Sequence, residues 1–192
     1  MKIGITGHTK GLGHALFNLF KLQGHEVVGF SRSNGYDIVE KKDDVINAVK
    51  DFDMFINNAY APIAQTELLS RMITEWQGTD KTIVNISSKV VIMDEPPAMV
   101  KDYANNKLIQ NLLIAKRHTT ASPRILNITL GLVDTEMSKS VIAKKMNPSD
   151  VADMINALLS YKDVVYVQEL MIDVPGQDWK DINVIENVKH QH

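Results

Sequence analysis

Tyr103 and Lys107 stand four residues apart, a spacing that puts both side chains on one face of a helix. A free phenol, with a pKa of about 10, is a poor acid or base at neutral pH. An ammonium beside it stabilises the phenolate and pulls that pKa down. Upstream, the run Ile83-Val84-Asn85-Ile86 ends in two hydroxyls, Ser87 and Ser88, which can hold a polar group against the phenol. Near the start of the chain, the turn Thr6-Gly7-His8-Thr9-Lys10-Gly11-Leu12-Gly13 joins a short apolar run to a helix-like stretch. Glycines let a phosphate approach the backbone, and a helix N-terminus offers free N–H groups and the positive end of a dipole. The turn therefore reads as a pyrophosphate cradle. It is not a P-loop, because Lys10 is followed by Gly11 rather than by a hydroxyl residue.

Positioning these groups requires alternating elements, and the hydrophobic pattern supplies them. Strands are expected at 2–6, 26–30, 54–56, 82–86 and 125–129, with further β-like runs at 164–167 and 170–174. Helices are expected at 12–23, 43–49, 65–76, 103–116 and 151–159, the last started by Asn147 as cap, Pro148 in the first turn and Asp150 facing the dipole. Strands alternating with helices predict βαβ units: an α/β fold with a doubly wound parallel sheet between two helical layers. No repeat, low-complexity tract or dividing linker interrupts the chain, so residues 1–192 are expected to be one domain. Ligands in such folds bind at the carboxyl ends of the strands.

The residues at those ends carry a resemblance. The glycine turn led by Thr6, the Asn57-Asn58-Ala59 that ends the third strand, the Ser-Ser ending and Tyr103-x-x-x-Lys107 occur in the order found in the short-chain dehydrogenase/reductase family. The resemblance runs over nearly the whole chain and implies a Rossmann-like fold binding a nicotinamide dinucleotide. It makes Tyr103 the acid/base, Lys107 its activator and a ribose ligand, and Ser88 the group orienting a substrate carbonyl. Ser88 lies slightly further upstream of Tyr103 than is usual, a short insertion around Asp94-Glu95-Pro96-Pro97 taking up the difference. The cofactor-binding set implied is Gly7, Thr9, Lys10, Gly11, Leu12 and Gly13 on the turn, then Ser31, Arg32, Asp37 and Ile38 after the second strand. Asn58, Ala59 and Tyr60 follow the third strand, with Tyr60 where the family has glycine. Tyr103 and Lys107 belong to the set too, with Gly131, Val133 and Thr135 completing it beyond the fifth strand.

Cofactor choice follows from charge. No acid lies between Glu26 and Asp37 to accept a ribose hydroxyl, and Arg32 can bind a 2′-phosphate bidentately, with Lys10 adding a second charge. NADP(H) is therefore expected over NAD(H). The implied activity is carbonyl/alcohol interconversion on a small molecule. The alternative is a non-catalytic NADP(H)-binding sensor or regulatory protein on the same fold. Two departures bear on that choice. The family's catalytic asparagine has no counterpart, since no asparagine lies between Asn58 and Asn85. The segment after Thr135 is also short, so an open site with proton relay through bulk water is expected, with apolar Ile92, Met93 and Met137 near Tyr60 at the pocket.

Composition narrows the rest. A net charge of -2 gives no general attraction to nucleic acid or an anionic membrane. Cysteine is absent, which excludes disulfides and thiolate chemistry. No apolar stretch reaches the roughly 20 residues of a membrane span, and no signal-peptide pattern opens the chain. A cytoplasmic protein is expected, without a membrane or nucleic-acid partner. The resemblance implies a homodimer or homotetramer. The histidines show no zinc-ligand spacing, so no metal is expected; Asp43-Asp44 reads as a helix start, and His190 and His192 as a tail.

Overall fold

The computed structural model describes residues 1–117, 122–161, 164–176 and 183–184. The tail histidines and His118 lie outside them. Short runs dense in β-branched and aromatic residues form strands buried on both faces, as parallel strands between helical layers must be. β1 (Lys2–Thr6), β2 (Glu26–Phe30), β3 (Met54–Asn57), β4 (Thr82–Ser88), β5 (Arg124–Leu130) and β7 (Glu169–Ile172) make one parallel sheet in the order β2-β1-β3-β4-β5-β7. A two-residue antiparallel pair, β6 (Val141–Ile142) with β8 (Asn183–Val184), stands apart from it.

Helices cover both faces. α1 (Gly11–Leu22) and α5 (Pro148–Ser160) pack Leu16, Phe20, Val151 and Ile155 onto one face, against Ile5, Ile56, Val84 and Ile128. α2 (Lys42–Val49), α3 (Pro62–Glu75) and α4 (Lys101–Arg117) cover the other, where Val45, Leu68, Leu69, Met72, Trp76 and Ile114 meet Phe55, Ile83 and Ile125. The expected α/β/α layering is the one observed. Among the described residues no helix is long and apolar enough to cross a membrane.

Several elements start or end up to three residues from the expected bounds, and one expected run does not form. α3 starts earlier, at Pro62, which suits the first turn because it has no N–H to leave unpaired. The run at 164–167 is no strand. β5 pairs with β7 from Asn127↔Glu169 onward, and upstream the Tyr166 hydroxyl accepts from the Ile125 amide at 2.9 Å and donates to its carbonyl at 3.2 Å. A side chain there takes the bonds a strand would have made.

Strand order reverses at β1, which has β2 on one side and β3 on the other. The crevice beyond the carboxyl ends of β1 and β3 is thus the topological switch point, where this class of sheet binds ligands.

Candidate active site

The glycine turn sits at that switch point. Gly7 has φ +70°, which a side chain would strain, and a Cβ on Gly13 would collide with the Gly7 carbonyl, so α1 can start tight against β1 only with glycine there. α1 has no side-chain cap and no acid in its first turn, so its N-terminal N–H groups and dipole face the crevice uncompensated. The far wall is laced to it. The buried Thr6 hydroxyl accepts from the amides of Asn58 and Ala59, both at 3.0 Å, and the Asn58 side chain donates to the Thr6 carbonyl at 2.9 Å. Thr135 packs against Gly11, its Cγ2 2.9 Å from where a Cβ would stand. Thr9 and Lys10 are exposed on the turn and Leu12 is buried beneath it. Gly131 and Val133 lead from β5 to Thr135, and Asp173 packs over Gly131. An open groove of about 870 Å³ borders the turn at Lys10, Gly11 and Thr135 and runs outward to Lys139 and the start of α5. It does not reach Tyr103.

At the end of β2, Ser31 opens a 3₁₀ turn over Arg32–Asn34, with its amide held by Asn34 Oδ1 at 2.8 Å. Arg32 is exposed and has no ion-pair partner among the described residues, so its guanidinium is available. Asp37 and Ile38 serve the protein first: Asp37 Oδ1 accepts from the Val39 amide at 2.9 Å, and the Ile38 side chain is buried with Val45 and Val49. Of this pair, the apolar side chain is not offered to a ligand.

The chemistry-bearing side chains meet at the carboxyl end of β4. Alternation along that strand separates its two serines. Ser87 is buried and donates to Asn111 Oδ1 on α4 at 2.8 Å, whereas the Ser88 hydroxyl accepts from the Val90 amide at 3.4 Å and lies close enough to the Tyr103 phenol to favour its ionised form. Lys107, one turn along α4, is only 2% exposed. Its Nζ donates to the Ile86 carbonyl at 2.6 Å and to Gln65 Oε1 at 2.9 Å, and lies 5.8 Å from the ring centres of both Tyr103 and Tyr60. The two rings meet edge to face with their centres 4.7 Å apart.

Burial, not the neighbouring ammonium, sets the charges here. Desolvation pushes the Tyr103 phenol above its ordinary range, opposed by the nearby Ser88 hydroxyl and reinforced by Tyr60. Desolvation also drops Lys107 to about 7. The expected depression of the Tyr103 pKa is therefore reversed, because a lysine that has itself lost its water is a weak source of charge.

Spacing alone did not reveal what supports Lys107. Asn57, Asn85 and Asn127 stand in register on β3, β4 and β5 and pass hydrogen bonds sideways: Asn57 to Asn85 at 2.9 Å, Asn85 to Asn127 at 2.9 Å, Asn127 to Asn111 at 3.2 Å. The available signal was one asparagine interrupting each apolar run at the same offset. Beyond Gly131, Lys89 forms a half-buried ion pair with Asp173 at 2.5 Å, linking the ends of β4 and β7.

No family model matches the chain, and no curated protein is similar to it. Solved structures do match. Serine dehydrogenase in its closed form with NADP+ aligns at TM-score 0.73 and 18% identity, over 97% of this chain and 100% of that one. The 3-alpha-hydroxysteroid dehydrogenase of Pseudomonas sp. B-0831 with NADH gives 0.71 and 18%, over 90% and 95%. A short chain dehydrogenase of Burkholderia cenocepacia J2315 with NADP gives 0.71 and 19%, over 90% and 88%. The chain has the Rossmann-like fold of the short-chain dehydrogenases/reductases.

Proposed function

We propose that the chain is a short-chain dehydrogenase/reductase that uses NADP(H) to interconvert a carbonyl and an alcohol on a small molecule. The observation that carries this reading is the cluster of Ser88, Tyr103 and Lys107 at the carboxyl end of β4, on the rim of the crevice that begins at the glycine turn. The residues fit the coenzyme. Bare helix N–H groups suit a pyrophosphate, Arg32 suits a 2′-phosphate, and Lys107, with two of its three protons engaged, has one left for a ribose hydroxyl. Structural neighbours hold NADP and NADH alike, so the preference rests on Arg32 and Lys10. Their named substrates differ too widely to carry one over.

A bound nicotinamide supplies or accepts the hydride. The chain's own groups manage the proton. Ser88 and Tyr103 hold a carbonyl oxygen between two hydroxyl donors, and as negative charge develops there Tyr103 gives up its proton. The phenolate left behind faces the Lys107 ammonium. Burial penalises either charge alone, but the pair is neutral overall, so the two titrate as a unit. In the opposite direction the same phenolate takes the alcohol proton. Cofactor and substrate then share one domain over residues 1–192, and the protein acts in the cytoplasm as a homodimer or homotetramer.

One observation favours the non-catalytic sensor: Tyr60 lies against Tyr103, and burial disfavours the charged form of both the phenol and the Lys107 amine. The test is a fluorescence titration with NADPH and NADH on wild type and Arg32→Ala, followed by turnover of a panel of carbonyls. The expected result is NADPH binding at least tenfold tighter, a preference lost in Arg32→Ala, and a turnover drop of about 10²–10⁴-fold in Tyr103→Phe. Unaltered turnover in Tyr103→Phe defeats the mechanism; tight NADPH binding with no turnover leaves the sensor.

A further inference from the structure

We infer that Gln65 is the positioning residue for Lys107: its side-chain amide fixes the direction of Nζ beneath Tyr103 and accepts part of the ammonium's charge. The inference rests on the oxidoreductase reading and deepens it.

Gln65 lies in the first turn of α3 and is fully buried. It is anchored at both ends. Nε2 donates to the Asn57 carbonyl at 3.0 Å, and the Gln65 backbone carbonyl accepts from Asn57 Nδ2 at 3.3 Å. The amide therefore cannot rotate without breaking a buried bond, and its oxygen stays aimed at Lys107 Nζ, 2.9 Å away. Asn57 is held in turn through Asn85, Asn127 and Asn111, and Asn111 lies on α4, the helix that carries Tyr103 and Lys107. The chain of amides ties α3 to α4 across three strands, so the helix bearing the Tyr–Lys pair and the helix bearing its acceptor are held in fixed relation.

The charges around Lys107 make that acceptor matter. α4 itself brings Tyr103 and, beyond it, Asp102, whose field is felt at Tyr60. The segment after β3 brings Tyr60, and the end of β4 brings Ser88, with Lys89 paired to Asp173. α3 brings only neutral Gln65, since its Glu67 pairs with Lys42 at 3.0 Å on α2. Among the described residues no carboxylate lies against Nζ, so an ammonium there depends on oriented dipoles: the Ile86 carbonyl, which no side-chain change removes, and the Gln65 oxygen, which one does.

The test follows Lys107 itself in the whole protein, without cofactor or substrate, through the pH dependence of its ¹³Cε–¹Hε NMR signal, assigned by its loss in Lys107→Met. Gln65→Met is expected to move the Lys107 midpoint down by one pH unit or more, and Gln65→Glu to move it up by one or more. In turnover, Gln65→Met should lower kcat at least tenfold with NADPH affinity within twofold of wild type, while the isosteric Gln65→Glu recovers most of the loss. A Gln65→Met midpoint within 0.3 units of wild type overturns the inference. Should that variant not fold, a Gln65→Glu midpoint that fails to rise does the same, because a carboxylate at that distance must raise it. The two readings fail separately: shifted midpoints with no carbonyl turned over by the wild type sink the oxidoreductase, and fixed midpoints with a turnover that Tyr103→Phe abolishes sink the role of Gln65.

Discussion

Tyr60 takes the place of a glycine in the resemblance and spends its ring on Tyr103. Edge-to-face contact at 4.7 Å excludes water from the phenol, and desolvation is the first cause of the raised Tyr103 pKa. Tyr60→Ala should therefore lower the Tyr103 ionisation midpoint towards 10, whereas Tyr60→Phe, which keeps the ring, should leave it high. Phenolate absorbance, taken as the difference from Tyr103→Phe, reads this directly; equal midpoints in the two variants would assign the desolvation to the surrounding helix and strand instead. The case also marks what spacing can say at this scale. It put Tyr103 and Lys107 on one face, while the choice of Ser88 over Ser87 came from the resemblance. It could not say how much water those groups had lost, so the direction of the Tyr103 shift came out reversed. Gln65 stayed hidden because its partner lies on another helix.

At the scale of elements, the strands were legible because a parallel sheet covered on both faces demands uninterrupted apolar runs, and β1 to β5 supply them. The run at 164–167 has the same composition and is not a strand, since pairing depends on register with β5, which composition does not encode. The asparagine ladder shows the same limit from the other side: three polar residues in three runs become one feature only when the strands align. Helix starts were more readable. Asn147 Oδ1 accepts from the Ser149 amide at 2.9 Å, with Pro148 and Asp150 completing the first turn of α5. Since α5 packs Val151 and Ile155 into the core against α1, Asn147→Ala should cost the whole protein about 1 kcal/mol, read as a lower urea midpoint at unchanged m-value. A change below a few tenths would show that packing alone starts this helix.

For the whole molecule, Lys107 links the site to stability. Folding lowers its pKa to about 7, while the unfolded chain keeps its proton up to about 10.4. Between those values the unfolded state binds the extra proton, so this group's contribution to stability rises with pH across the window and is flat below it. Burial of Lys107 thus costs the fold stability at neutral pH. Lys107→Met removes the titration but leaves Gln65 Oε1 and the Ile86 carbonyl without their donor, a penalty independent of pH. Wild type should therefore gain on Lys107→Met by about 3 kcal/mol as pH rises from 7 to 9.5, measured by urea unfolding at each pH. A difference that stays constant would mean that Lys107 keeps its proton in the fold. The pair with Tyr103 would then stand ready charged, and the cost of desolvation would fall wholly on the phenol.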